Sequence, residues 1–186
     1  MRKLFITATL CFLFSVSHAQ GGPCSANPVY RQFDFWIGQW DVYGKKGKKA
    51  GDSKISLILD SCVILEEWTS TSAPNGVTYT GKSFNTYNST SSQWQQTWVD
   101  NAGTTTEFLK GKYEDGKMIF ETYPFQFSKE TMAIRKLTFF NLGTDKVRQL
   151  GEITKDNGAT WSVEYDLEYR RKKYAEFRNQ HLRSSR

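Results

Sequence analysis

The chain is 186 residues long, carries a formal net charge of +6, and is 15% aromatic with only 4 prolines. That composition excludes a disordered chain, and the length suffices for one domain with its own core. The basic excess does not describe a nucleic-acid-binding surface, because it sits at one end. Arg170, Arg171, Lys172, Lys173, Arg178, Arg183 and Arg186 face a single Glu176 there, and residues 20–169 are slightly acidic.

In chain order, the first element reads as an export signal. Arg2 and Lys3 precede an almost unbroken apolar run over residues 4–16, and Ser17-His18-Ala19 offers small residues for processing. Cleavage is therefore expected after Ala19, and the run is too short to stay in a bilayer. A periplasmic or secreted protein follows. Cys24 and Cys62 remain after processing, and an even pair in an exported chain reads first as a disulfide. Two unpaired thiols are the alternative.

After an N-terminal segment over residues 20–32, the body at 33–169 alternates short β-rich runs with turn signals. Strands are expected near 37–43, 53–59, 61–69, 77–87, 92–99, 104–111, 117–122, 131–140, 146–153 and 160–169. Glu114-Asp115-Gly116-Lys117 has the form of a two-residue hairpin turn. The fold class is all-β: an antiparallel up-and-down barrel of about ten strands, whose closure removes exposed edges. A β-sandwich is the alternative. The basic tail at 170–186 could form a short amphipathic helix in weak contact with an anionic membrane surface, or a solvated extension.

Period-two alternation sorts side chains onto faces. Trp161, Val163, Tyr165, Leu167 and Tyr169 are expected inside along the whole last strand, with Ser162, Glu164, Asp166 and Glu168 outside. Trp94, Gln96, Trp98 and Asp100 share one face. So do Tyr79, Gly81, Ser83, Asn85 and Tyr87, and likewise Ile64, Glu66 and Trp68. Polar groups thus point inward beside tryptophans. Each needs a partner, a water or a ligand, since an unpaired buried polar group costs on the order of 1–3 kcal/mol. A barrel of this size can enclose one small ligand. The candidate ligand-binding residues are Trp40, Trp68, Tyr79, Trp94 and Trp98 as apolar wall, with Glu66, Ser83, Asn85, Gln96 and Arg148 as orienting groups. A filled barrel serving as an interaction module is the bland alternative.

Two local motifs add to this. Gly38-x-Trp40, within Phe33-Asp34-Phe35-Trp36-Ile37-Gly38-Gln39-Trp40-Asp41-Val42, looks like the Gly-x-Trp signature of lipocalins, where the indole plugs the closed barrel end. Thr154-Lys155-Asp156-Asn157-Gly158-Ala159-Thr160-Trp161 fits the Asp-box of sialidase propellers, a turn-forming device without catalysis. One copy in a chain this short excludes a propeller.

Taken over residues 30–172, the chain resembles a family of secreted bacterial proteins of unknown function with a lipocalin-like, calycin-type barrel. The resemblance rests on Phe33-Asp34-Phe35-Trp36-x-Gly38-x-Trp40, Cys62-x-x-x-Glu66-x-Trp68, Gly81-x-Ser83-x-Asn85-x-Tyr87, Trp94-x-Gln96-x-Trp98-Val99-Asp100, Val147-Arg148-Gln149 and Tyr169-Arg170-Arg171. It implies the fold and leaves the activity open. Nitrobindins are more distantly similar and hold haem through a histidine near the C-terminus. His181 is late in this chain, but it falls beyond the expected barrel, so haem is the weaker expectation and no cofactor is assigned.

The processed chain has one histidine, which argues against a Ser-His-Asp set or a multi-histidine metal site. Glu66 with Arg135 or Arg148 reads as an internal ion pair. A strongly shifted carboxyl there would instead suit a general base in an isomerase- or cyclase-like barrel enzyme. The leading expectation is a binder of one small amphipathic molecule, with no catalytic residue assigned. Oligomeric state is left open.

Overall fold

The structure is a computed structural model describing residues 22–73 and 76–173. The expected signal peptide at 1–19, the Pro74-Asn75 turn, and the tail from residue 174 with His181 lie outside the described residues.

Eleven strands follow one another: β1 (Gly38–Gly44), β2 (Lys49–Ile58), β3 (Val63–Ser70), β4 (Thr80–Asn88), β5 (Gln93–Asp100), β6 (Thr105–Glu114), β7 (Lys117–Glu121), β8 (Phe125–Ser128), β9 (Thr131–Asn141), β10 (Lys146–Thr154) and β11 (Ser162–Arg171). Antiparallel pairing runs from β1 stepwise to β7, passes to β9, β10 and β11, and returns to β1. Ten strands therefore form a closed up-and-down barrel, as expected, and the ring has no free edge. Asp115 and Gly116 join β6 to β7 with φ of 49° and 74°, the left-handed pair that suits the twist of a tight hairpin.

Two features depart from the sequence reading. The first is β8, an extra strand outside the ring. β9 pairs β7 through residues 136–140 and β8 through residues 131–133, so β7 and β8 share one long neighbour. Pro124 interrupts the run between them, since proline has no N–H to give to a ladder. The second lies in β11. Tyr165 faces Gly151 but Val163 faces Glu152, which leaves Glu164 as a bulge. The bulge turns Val163 outward, 48% exposed, so the expected inward alternation fails at the start of this strand.

The segment before β1 closes one end of the barrel. Two 3-10 turns, Pro28–Arg31 and Asp34–Trp36, carry Phe33 and Trp36 into the interior. Both are fully buried. Their rings stack at 5.0 Å, and Trp36 lies 4.5 Å from Phe139 and 5.9 Å from Tyr169 by centroid. Trp40 Nε1 donates to the Trp36 carbonyl at 2.9 Å, and the Arg171 guanidinium covers the Trp40 ring at 4.2 Å. Gly38 has φ of 146°, a backbone conformation that L side chains rarely adopt, which is why this position takes glycine. Cys24 and Cys62 form a disulfide tying the plug segment to the approach of β3. The Asp-box-like turn is built as expected: Asp156 accepts from the Thr160 amide at 2.9 Å and from Thr154 Oγ1 at 2.7 Å.

Candidate functional site

The plug fills only one end. It meets β5 at Trp94, whereas farther along the same strand Gln96, Trp98 and Asp100 line an internal cavity of about 580 Å³. Trp68, Tyr79, Phe108, Tyr165, Leu167 and Tyr169 complete most of its wall. The barrel is therefore hollow at the end away from the plug.

The cavity stays open despite its aromatic content because inward-facing glycines receive the rings. A Cβ at Gly51 would meet the Trp68 ring at 2.6 Å. Those at Gly81 and Gly151 would run into the rings of Trp98 and Tyr165. Each ring lies back against a neighbouring strand in the space a side chain would otherwise take.

The floor is a polar network centred on Glu66, which is 3% exposed. Its Oε1 accepts from Ser53 Oγ at 2.8 Å and from the Tyr169 hydroxyl at 3.2 Å, and its Oε2 accepts from Ser83 Oγ at 3.0 Å. Ser83 in turn accepts from Asn85 Nδ2 at 3.0 Å, and Asn85 Oδ1 accepts from Gln96 Nε2 at 2.7 Å. Tyr169 OH also lies 2.7 Å from Gln149 Oε1. A phenol has one proton, so Tyr169 donates to only one of these two acceptors at a time. Desolvation raises the Glu66 pKa above its ordinary value of 4.5, and the bonds from Ser53, Ser83 and Tyr169 only partly oppose it.

The rim is charged. Asp100 accepts from Tyr79 OH at 2.9 Å, Trp98 Nε1 at 3.2 Å and the Ala102 and Thr104 amides at 3.0 Å each. Burial works against its ionisation, but the bonds from Thr104, Tyr79 and Trp98 hold it well below the usual aspartate range. It thereby pins both rings to one carboxylate. Across the mouth, the β11 bulge brings Glu164 to Arg135, whose Nε lies 2.9 Å and 3.3 Å from its two oxygens. Among the described residues, no group of three His, Cys, Asp or Glu side chains is placed to hold a metal ion.

The structure thus sorts the candidates. Glu66, Trp68, Tyr79, Gln96 and Trp98 line the cavity. Ser83 and Asn85 are fully buried in the network behind it, reaching it only through Glu66 and Gln96. Trp40 and Trp94 belong to the plugged end, where Trp94 Nε1 donates to Gln32 at 3.0 Å. Arg148 points outward instead of into the barrel and forms a two-bond pair with Asp166 at 2.8 and 2.9 Å. The expected Glu66–arginine pair is absent among the described residues: Glu66 has only hydroxyl partners, and Arg135 pairs with Glu164. Gln149, Phe108, Glu164 and Thr104, Thr105 and Thr106 also line it and were not anticipated, and Arg135, expected only as an internal partner of Glu66, lines it as well. The run Val147-Arg148-Gln149-Leu150 mixes polar and apolar residues on both faces, so alternation carried no signal that would have placed Gln149 inside.

No model of a known protein family matches the sequence, and no curated protein matches it. The site is therefore read from its own chemistry.

The state of Glu66 has a measurable consequence. Below pH 4.5 this side chain is protonated in both the folded and the unfolded chain, and its stability contribution is complete. As pH rises from there through the raised folded value, the unfolded chain ionises first and that contribution is lost. A glutamine does not titrate. Glu66→Gln is therefore expected to melt close to the parent protein at pH 4 and above it at pH 8, read by circular dichroism. A variant that melts below the parent at pH 8 would show that Glu66 is held as a stabilised carboxylate.

Proposed function

We propose that this is an exported calycin-type barrel that holds one small, largely apolar molecule carrying a polar group. The observation that carries the reading is the cavity of about 580 Å³, walled by aromatic rings and floored by a fixed polar network. That volume falls within the roughly 300–1,000 Å³ typical of small-molecule sites, as does the mixture of apolar wall and few convergent polar groups. The closed ten-stranded ring and the plug formed around Gly38-x-Trp40 support the lipocalin-like assignment. The Cys24–Cys62 bond supports an oxidising compartment, in keeping with the signal-like residues 1–19.

The test is titration of the mature protein with the neutral fluorophore N-phenyl-1-naphthylamine, read by energy transfer from the cavity tryptophans. One saturable site is expected. Thr106→Trp, which fills the lumen from the β6 wall, is expected to abolish it with the fold unchanged by circular dichroism. Absence of saturation, or equal binding by that variant, would remove the cavity as the site.

One observation favours a second reading. Glu66 is a buried, uncompensated carboxyl touching the lumen, a group suited to proton transfer on a bound molecule. An envelope extract incubated with the protein in D₂O would then show a metabolite gaining deuterium, and Glu66→Gln would stop the exchange.

A further inference from the structure

Among the described residues, four charged side chains line the cavity: Glu66, Asp100, Glu164 and Arg135. Arg135 is the single cation of the four, and it is engaged on both oxygens of Glu164. Glu66 at the floor and Asp100 at the rim therefore face the lumen with no cation opposite them. Gln96 is 3% exposed and gives its amide N–H to Asn85, while its carbonyl oxygen accepts no hydrogen bond from the described residues. The two carboxyls and the Gln96 carbonyl are acceptors set among indole and phenol rings, whereas the Gln149 amide and the Tyr165 hydroxyl add donors to the same lining.

The rings repeat the pattern. On the barrel surface the protein places its own lysines and arginines over aromatic faces, as with Lys136 on Trp161 at 3.9 Å and Arg170 on Tyr43 at 4.2 Å. None of the cation–π pairs among the described residues uses Trp68, Trp98, Tyr79 or Tyr165. The rings set back against Gly51, Gly81 and Gly151 are aromatic surface with no cation over them, the kind of face that attracts one.

We infer that the polar group of the bound molecule is a positively charged nitrogen, an organic ammonium held between Trp68, Trp98 and the carboxyls of Glu66 and Asp100. This rests on the cavity being a small-molecule site and names the class of molecule it takes. The groups bonded to Glu66 are Ser53 of β2, Ser83 of β4 and Tyr169 of β11, none of them charged. An ammonium head supplies the counter-charge that the fold leaves out.

Three probes of similar shape separate the outcomes: benzyltrimethylammonium, its uncharged carbon isostere neopentylbenzene, and the anion phenylmethanesulfonate, each titrated into the mature protein by tryptophan fluorescence. The cation is expected to bind at least tenfold more tightly than the isostere, with the anion weakest. Glu66→Gln, which keeps the shape of the floor, and Trp68→Leu, which keeps apolar bulk without a π face, are each expected to bring the cation down toward the isostere and leave the isostere unchanged. Equal or tighter binding of the isostere overturns the ammonium assignment while the cavity remains a binding site. Failure of all three probes to compete with N-phenyl-1-naphthylamine overturns the ammonium assignment too, and absence of fluorophore binding itself overturns the cavity reading beneath it.

Discussion

Trp36→Ala is expected to lower the free energy of unfolding by about 3–5 kcal/mol, and Trp36→Phe by less than about 1.5 kcal/mol. Trp36 is fully buried, stacked on Phe33 and wedged against Phe139 and Tyr169. Removing the indole leaves a void that the rigid ring of strands cannot collapse to fill, which is the condition under which large-to-small changes are most damaging. The phenylalanine variant is the informative one. The Trp36 indole nitrogen is buried without a hydrogen-bond partner among the described residues. An orphan donor of that kind costs on the order of 1–3 kcal/mol, so its removal offsets part of the lost area. The Trp36 carbonyl, which accepts from Trp40, is untouched by either change. Urea unfolding followed by circular dichroism measures both, and equal damage from the two substitutions would mean that the indole nitrogen is satisfied.

Loss of the Cys24–Cys62 bond is the second large effect. The two cysteines are 38 residues apart, and the chain-entropy treatment of a loop that size gives about 4 kcal/mol of stabilisation, acting on the unfolded state. The folded state does not depend on the bond alone. Arg31 donates to the Ser61 carbonyl at 2.6 Å, and Tyr30 meets the Tyr87 ring edge-on at 5.5 Å. A Cys24→Ser, Cys62→Ser variant is therefore expected to fold, but with a free energy of unfolding lowered by about 4 kcal/mol, read by urea unfolding. The same plug segment carries Trp36, so adding Trp36→Ala to that variant is expected to cost less than the sum of the two effects. Full additivity would mean that the plug and the disulfide act independently.

Much of the ring was legible because most of its strands carry their own alternation and are separated by turn residues. β8 was not, because Pro124 and a length of four residues hide the alternation of Phe125 and Phe127. The bulge at Glu164 leaves no glycine or proline to announce it, and it decides which of Val163 and Glu164 enters the barrel. Arg148 lies in Val147-Arg148-Gln149-Leu150, where polar and apolar residues fall on both faces and parity alone cannot be read. Pairing fixes it: Val147 faces buried Tyr169, so Arg148 must face out. The tryptophans show a different limit. Period two tells inside from outside, but not height along the barrel axis. Trp40 and Trp94 share their faces with Trp68 and Trp98, yet one pair seals an end while the other borders the lumen.

The glycines beneath the rings carry one more consequence. Gly51, Gly81 and Gly151 lie behind the aromatic wall, so a bound molecule would touch the rings and never the glycines. The calibre of the lumen is nevertheless set there, since any side chain at these positions levers a ring inward and narrows the bore. If the barrel binds as proposed, size selection would be written one layer behind the surface that makes contact. Descendants of the chain could change the girth of what they accept by altering three backbone positions while every contacting residue stays the same.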